Sequence, residues 1–211
     1  MKLVIEDLDN GGWIAARFAF GVQDAEEHVR LGDNHNPAIH WSQEPAGTRT
    51  LVLLCYDDDV PARADDVNRE DRTIPRDFPR MRFYHWVMVD IAPGAELIPE
   101  ADVSDEVTPR GKHPSKVPAG ARQGLNDFTG FLQGDPQMTG KYYGYDGPCP
   151  PWNDERMHHY HFVLYATDLE RCPVEGDFTG ADVEAAIAGH VLESAIVTGR
   201  YSLYLPLLGK A

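Results

Sequence analysis

The segment "HHYHFVLYATDL", residues 158–169, is the stretch that most directly indicates the fold. It is rich in β-branched and aromatic residues and ends at an acidic turn, which is typical of a β-strand. Because side chains alternate between the two faces of a strand, residues 158 and 160 point to one face and residues 159 and 161 to the other. The alternation therefore predicts that His159 and His161 share a face, with His158 and Tyr160 on the opposite one.

Two segments upstream have the same strand character. The segment "RTLVLLCYDDD", residues 49–59, predicts a buried strand over residues 51–56 that stops at three consecutive acids. The segment "FYHWVMVDIAPG", residues 83–94, predicts another strand that ends at a Pro-Gly pair. Two longer loops, residues 62–82 and 101–140, separate these strands from each other and from the strand at 158–169, and the sequence assigns them no role.

A helix is predicted only near the C-terminus, in "FTGADVEAAIAGHVLESAIVTGRY", residues 178–201. Thr179 and Asp182 suit a capping box, and apolar residues then recur every four positions as far as Ala195. Gly199 is suited to end such a helix. These patterns predict one domain over residues 1–211, a mainly β sandwich with short peripheral helices and a C-terminal helix.

The composition limits the partners of this chain. It has 34 acidic side chains against 19 basic ones, a formal net charge of −15. Such a surface repels phosphate backbones and anionic lipids, so we expect no nucleic-acid partner. No stretch approaches the roughly 20 apolar residues of a membrane span, which predicts no stable membrane insertion. The three cysteines lack C-x-x-C spacing and the first residues lack the apolar core of a secretory signal, so we expect a cytoplasmic location.

From the residue types alone, the polar residues near these strands allow several kinds of chemistry. Asp57 and Asp59, with His85 and His158, could hold a zinc ion, although no H-E-x-x-H motif supports it. Cys149 and His158 could form a nucleophile pair, whereas no G-x-S-x-G motif points to a serine nucleophile. A histidine beside a carboxylate has a raised pKa, and its protonated ring could bind a phosphate-sized anion. A purely structural role for His85 is equally compatible with the sequence.

Five blocks in order along the chain resemble the phosphatidylethanolamine-binding protein family, and within it the bacterial and archaeal branch described as Raf kinase inhibitor-like. Residues 51–61 are similar to the family's strand ending in D-P-D-x-P, and residues 84–94 to its H-W strand. The last strand block is similar to a G-Y-x-G-P-x-P-P segment followed by H-R-Y. The blocks are "NPAIHW" (36–41), "LVLLCYDDDVP" (51–61), "YHWVMVDIAPG" (84–94), "GYDGPCPP" (144–151) with "HHYHFVLYATD" (158–168), and "AGHVLESAIVTGRY" (188–201), the last resembling the family's closing helix.

The resemblance implies a Greek-key β-sandwich with a small anion-binding pocket at one end. It implies two imidazole rings from separate strands, oriented by acidic side chains, beneath a rim of prolines. His158 is then the ligand candidate among the three neighbouring histidines, and His159 and His161 are structural or exposed. The implied ligand-binding residues are Asp57, Asp59, His85, Pro150, Pro151, His158 and Tyr160.

Three departures from the family pattern bear on the pocket. Asp58 stands where the family has proline, which predicts a looser and more negative turn. His159 stands where the family has arginine, which predicts a weaker ion pair with a motif aspartate. The spacer "WNDERM", residues 152–157, is bulky and lacks the family's glycine, so the pocket mouth is expected to be reshaped.

The function that follows is a binding protein rather than an enzyme, with no cofactor or metal. Its expected ligand is a small molecule that carries a phosphate, phosphoryl or carboxylate group, and the family resemblance adds phospholipid head groups, regulation of kinases and a homodimer. Two alternatives use the same residues. One is a hydrolase with a metal or with acid/base groups, and the other is an interaction module that recognises phosphorylated or acidic side chains of a protein partner.

Overall fold

The computed structural model of the chain describes residues 1–114, 117–118 and 120–208. Short helices lie at the periphery of the strands. The strands are β1 (Lys2–Ile5), β2 (Gly21–Asp24), β3 (His28–Leu31), β4 (Ile39–Ser42), β5 (Thr50–Pro61), β6 (Arg80–Ile91), β7 (Leu97–Ile98), β8 (Arg122–Gln123), β9 (His158–Thr167) and β10 (Val191–Tyr201). The helices are α1 (Phe128–Phe131), α2 (Gly180–Ile187) and α3 (Leu205–Leu208), with 3₁₀ turns at Ala16–Phe18 and Leu132–Gly134.

A five-stranded antiparallel sheet forms the centre of the fold, in the order β10-β9-β5-β6-β8. One face of this sheet packs against a three-stranded sheet, β1-β4-β7, and the other face packs against α2. On β5, Leu51 and Leu53 enter the first core, while Val52 and Leu54 enter the second. Both faces of the sheet are thus buried, which explains why β5 is apolar without alternation. The predicted mainly β sandwich is confirmed.

The face assignment of β9 is also confirmed. Tyr160 and Phe162 lie in the core between the two sheets, whereas Val163 lies in the core beneath α2. His158 is 1% exposed, and the side chains of His159 and His161 are only partly covered. Alternation along the strand therefore separates the one deeply buried histidine from its two neighbours.

The prediction of a long C-terminal helix is wrong beyond Ile187. The capping box is present, since the Thr179 hydroxyl accepts a hydrogen bond from the Asp182 amide at 3.3 Å and the Asp182 carboxylate accepts one from the Thr179 amide at 2.9 Å. The chain then turns at Gly189, whose φ is +83°, and residues 191–201 pair with β9 as an outer strand of the sheet. β-branched residues are frequent in this segment, and the available edge of β9 supplies backbone partners that outweigh the local four-residue spacing.

The register of the three central strands sets the position of the candidate residues. Asp57 lies opposite Phe83 of β6 on one side and Tyr160 of β9 on the other. His85 and His158 therefore reach the same end of the sheet as Asp57. Among the described residues, no helix is both long and apolar enough to cross a lipid bilayer.

Candidate functional site at one end of the central sheet

A cavity of about 650 Å³ opens at this end of the sheet. Six of the seven residues implied by the sequence line it, and Asp59 does not. The six lining residues are Asp57, His85, Pro150, Pro151, His158 and Tyr160. We use "polar end" for the part of the lining formed by Asp57, His85, His158 and Tyr160.

His158 is fixed in the polar end by two carboxylates. Its Nδ1 donates to Asp57 Oδ2 at 2.5 Å, and its Nε2 donates to Asp154 Oδ2 at 3.2 Å. Burial alone would lower the pKa of His158, but the negative charge of Asp57 and the hydrogen bonds to Asp154 and Asp57 raise it to about 9. The ring is therefore an imidazolium at neutral pH, with both N–H groups already engaged.

Asp154 links this imidazolium to a buried arginine. Arg80 approaches it with two nitrogens, Nη1 to Oδ2 at 2.5 Å and Nη2 to Oδ1 at 3.0 Å. Burial would raise the pKa of Asp154, but the bonds from His158 and Arg80 outweigh this effect and hold the pKa below its ordinary value. The chain Asp57–His158–Asp154–Arg80 contains two negative and two positive charges, so the buried network is balanced.

Asp59 belongs to a second ion pair beside the cavity. Its Oδ1 accepts from Arg156 Nε at 2.5 Å, and its Oδ2 accepts from His159 Nδ1 at 2.7 Å. Burial would raise the pKa of Asp59, but the hydrogen bonds from His159 and Arg156 lower it. Arg156 thus supplies the cation whose absence at position 159 was expected to weaken this pair.

The structure has an irregularity within β5 after Asp57, where a loose turn was expected, and hydrogen bonds hold it in place. The Asp59 amide donates to Asp57 Oδ1 at 2.7 Å, so both Asp57 oxygens accept a hydrogen bond. Asp58 pairs with Arg82, with Nε to Oδ1 at 2.6 Å and Nη2 to Oδ2 at 2.9 Å, and does not line the cavity. The extra carboxylate at position 58 therefore adds no unpaired charge to the polar end.

His85 differs from the expected carboxylate-backed histidine. Its Nδ1 donates to the backbone carbonyl of Asp146 at 2.7 Å, and its own carbonyl accepts the Asp146 amide at 3.0 Å. Burial lowers the pKa of His85, and the opposing effects of the Asp57 charge and of the Asp146 carbonyl do not restore it. The ring is neutral near pH 7, which leaves Nε2 as an unprotonated acceptor.

A buried polar cage holds the segment that orients His85. Asp146 is fully buried, and its carboxylate accepts from Lys112 Nζ at 2.9 Å, Asn34 Nδ2 at 2.8 Å and Asn126 Nδ2 at 2.7 Å. Every oxygen of the side chain is thereby satisfied, as burial of a charge requires. The cage fixes the position of Asp146, and the backbone carbonyl of Asp146 fixes the tautomer of His85.

Aromatic and aliphatic side chains form the remainder of the cavity lining. The Phe83 ring lies 4.9 Å from the His85 ring and 5.3 Å from the Phe128 ring, measured between centroids. The Tyr160 ring lies 5.0 Å from His85, and Phe131 lines the cavity although 57% of it is exposed. The cavity therefore combines a small polar end with large apolar walls, the usual composition of a small-molecule site.

Cys149 lines the cavity but is not prepared to act as a nucleophile. Burial raises the pKa of its thiol to about 12, so the thiolate is scarce at neutral pH. No partner in the described part of the chain offsets this effect. Nor do the described residues contain a group of three or more His, Cys, Asp or Glu side chains arranged to hold a metal ion.

Sequence reasoning missed the residues that complete the polar network. Asp154 and Arg156 lie in the spacer that was expected only to reshape the pocket mouth, and Arg80 lies in a charged loop without an assigned role. Lys112 and Asp146 are likewise distant in sequence from their partners. The one available signal was the density of charged residues between two prolines and a buried strand, since charges in such a place are usually paired.

Comparisons with known proteins agree with this architecture. The family model described as "Phosphatidylethanolamine-binding protein" matches residues 4–202. UPF0098 protein YbhB of Escherichia coli (strain K12) is 30% identical over 202 residues, which cover 96% of this chain and 100% of that protein. A UPF0098 protein of Methanothermobacter thermautotrophicus is 31% identical over 170 residues, 81% of this chain and 84% of that protein.

The fold is shared with a solved structure. The crystal structure of E. coli YbcL, described as a new member of the mammalian PEBP family, superposes with a TM-score of 0.69 at 24% sequence identity, covering 95% of this chain and 97% of that one. The order of the sequence blocks, the two-sheet architecture and the family match all lead to the same assignment. This chain belongs to the phosphatidylethanolamine-binding protein family.

Proposed function

We propose that this chain is a binding protein whose cavity holds the phosphate, phosphoryl or carboxylate group of a small ligand at its polar end. The observation that carries the proposal is the state of His85. Its Nδ1 is committed to the Asp146 carbonyl, so Nε2 remains for a ligand at the wall of a cavity of about 650 Å³. Among the hydrogen bonds of the described residues, none occupies this nitrogen or the nearby Tyr160 hydroxyl. These two groups supply an acceptor and a donor side by side.

The charge balance of the polar end supports an acidic guest. An unpaired Asp57 carboxylate would repel an anion, but its charge is offset by the imidazolium of His158 and both of its oxygens are hydrogen-bonded. The paired charges of Asp57 and His158 thus leave the polar end without a net negative charge that would add to the overall negative field of the protein.

Proton uptake is expected to accompany binding. Because the pKa of His85 is lowered in the free protein, the ring is neutral, and an anion beside Nε2 favours its protonated form. The pKa of His85 is therefore higher in the complex than in the free protein, and affinity rises as the pH falls. If instead a hydrogen phosphate donates its own proton to Nε2, the affinity also rises as the pH falls.

The state of His158 argues against a hydrolase that uses this residue as its general base. A general base must be able to accept a proton, whereas His158 is held protonated between Asp57 and Asp154. A soluble ligand is favoured over a head group in an anionic bilayer because the net charge of −15 opposes docking on such a surface. We also propose a cytoplasmic location, which the three unpaired cysteines support.

The test is a titration with inorganic phosphate at pH 6, followed through the imidazole resonances. We expect the His85 signals to move and those of His190, which is exposed and remote from the cavity, to stay constant. The matched variants are His85→Asn, which keeps a donor near the Nδ1 position but removes Nε2, and His190→Asn as control. His85→Asn should weaken binding about tenfold or more, the loss of a hydrogen bond to a charged group. Unmoved His85 signals, or equal affinity in His85→Asn, would contradict the proposal.

A further inference from the structure

The loop between β5 and β6, residues 62–79, forms one side of the cavity. Ala62, Ala64 and Val67 from this loop line the cavity together with Arg63 and Asn68. We call this set the loop wall. The α1 segment, with Phe128 and Phe131, contributes the aromatic lining described above. The width available to a ligand therefore depends on where the loop is held.

The buried side chain of Asn153, outside the cavity, holds residues 66–72 of the loop, whereas Arg80 and Arg156 bind carbonyls of residues 75–78. Asn153 is 1% exposed, and its Nδ2 donates to the carbonyls of Asp66 and Arg72, each at 2.9 Å, and more weakly to Arg69 at 3.3 Å. Its Oδ1 accepts from the Asn68 amide at 3.0 Å. The two donors and the acceptor of one amide thus satisfy four backbone groups of a loop that has little regular structure.

The backbone around Asn153 adds to this attachment. The Ile74 amide donates to the Asn153 carbonyl at 2.9 Å, and the Trp152 amide donates to the Asn68 side chain at 3.1 Å. Ile74 is fully buried, so it anchors the far part of the loop. The spacer 152–157 therefore acts as the docking segment for the loop, and Asn153 is its central residue.

The volume of the cavity shows that the polar end accommodates only part of a ligand. A volume of about 650 Å³ falls within the range of about 300–1,000 Å³ that is typical of pockets for drug-sized ligands. A bare phosphate ion would leave the loop wall and the phenylalanines without contact. An acidic group attached to an apolar body would contact both the polar end and the walls.

From these contacts we infer that Asn153 is a positioning residue that sets the loop wall, and that the wall selects organic acids with an aromatic or aliphatic body over inorganic anions. Asn153 does not itself line the cavity, so it acts through Val67 and its neighbours. The inference rests on the proposed function, because the acidic group is taken to bind at the polar end.

The experiment compares inorganic phosphate with phenyl phosphate by calorimetry on the full chain at pH 6. In the unmodified protein, phenyl phosphate should bind about tenfold tighter or more, equivalent to about 1.4 kcal/mol. Asn153→Leu removes all four loop hydrogen bonds but keeps the branching and the number of heavy atoms of the side chain. In this variant we expect the affinities for phenyl phosphate and inorganic phosphate to lie within about threefold of each other. The affinity for inorganic phosphate should stay within about twofold of its value in the unmodified protein.

The matched control is Arg69→Gln, which changes the surface of the same loop but keeps the backbone carbonyl that Asn153 binds. It should preserve the preference for phenyl phosphate. Limited proteolysis should cut residues 62–79 faster in Asn153→Leu than in the control. Should Asn153→Leu fail to fold, Val67→Ala removes two methyl groups from the loop wall directly and should weaken phenyl phosphate binding more than inorganic phosphate binding.

Each outcome separates the two proposals. If neither probe binds the unmodified protein, the proposed function fails and the inference falls with it. If both bind equally, or if the preference survives in Asn153→Leu and Val67→Ala, the role of the loop wall is overturned while the proposed function stands. If Asn153→Leu weakens both probes equally, Asn153 acts on the polar end through the adjacent Asp154, and selection by the wall is again overturned.

Discussion

Raising the pH should destabilise this protein because His158 loses its proton, at a lower pH than the one at which lysines lose their charge. The folded protein raises the pKa of His158 to about 9 from an ordinary value of 6.5. A raised pKa means that the folded state holds the proton more tightly than the unfolded chain does. The resulting stabilisation is fully present below about pH 6.5 and is lost as the pH rises through about 9.

The magnitude follows from the same two values. At about 1.4 kcal/mol for each factor of ten, a pKa that rises from 6.5 to about 9 stabilises the folded state by about 3 kcal/mol. Little of this is lost to solvent screening, because the side chain of His158 is 1% exposed. For a domain that is stable by about 5–15 kcal/mol, this is a substantial share.

The assay is urea denaturation at intervals from pH 6 to pH 9.5, compared with the variant His158→Asn. The asparagine keeps a donor toward Asp57 but has no proton to lose, so its free energy of unfolding should lack the decrease of about 3 kcal/mol seen in the unmodified protein. Subtracting the two curves removes the titration of the other histidines. Imidazole resonances of the unmodified protein give the pKa of His158 directly, even if the variant does not fold. A His158 that titrates near pH 6.5, or parallel curves, would refute the reasoning.

Three further predictions concern the packing around the site. Lys112→Met leaves the Asp146 carboxylate buried without its cation and should lower the free energy of unfolding, measured by urea denaturation, by about 3–5 kcal/mol. A decrease of less than about 1 kcal/mol would contradict the buried ion pair. Cys149 should react slowly with a thiol reagent in the folded protein, because burial raises its pKa to about 12, and rapidly in urea; equal rates would show an accessible thiolate. Gly199→Ala should lower the free energy of unfolding by about 1–3 kcal/mol, because the new methyl would lie 2.5 Å from the side chain of the buried Ile14. Gly134→Ala is the control and should cost far less, because its methyl would meet nothing within 4 Å. Similar losses in the two variants would argue against this packing.

The fold was largely predictable because three segments carry strong local signals. The strands in 49–59, 83–94 and 158–169 correspond to β5, β6 and β9, which are the centre of the main sheet. The predicted end of the first strand at residue 56 is wrong, because β5 continues through the three acids to Pro61 and keeps its pairing with β6 there. Local signals failed for residues 191–201, where a four-residue apolar spacing predicted helix. Pairing with the whole length of β9 decided the strand, and no pattern inside the segment reports the presence of that partner.

The candidate residues that lie in recognisable sequence motifs were predictable. The residues that are brought together only by the tertiary structure were not. Asp57, His85 and His158 were selected from the sequence and do lie at one cavity. Their ionisation was not predictable, because both histidines were expected to stand beside carboxylates. His158 has two, whereas His85 has a backbone carbonyl instead. One ring is consequently charged and the other neutral.

The sequence by itself determined the mainly β class, the faces of β9 and three of the residues, Asp57, His85 and His158, that meet at the end of the sheet. These properties depend on apolar periodicity and on short motifs, which are local. The tertiary structure alone decided which histidine carries a charge, which cations neutralise the buried acids and how the loop at 62–79 is held against Asn153. The physical reason is that electrostatic energies and hydrogen bonds depend on distances between residues far apart in the chain, and burial increases their effect.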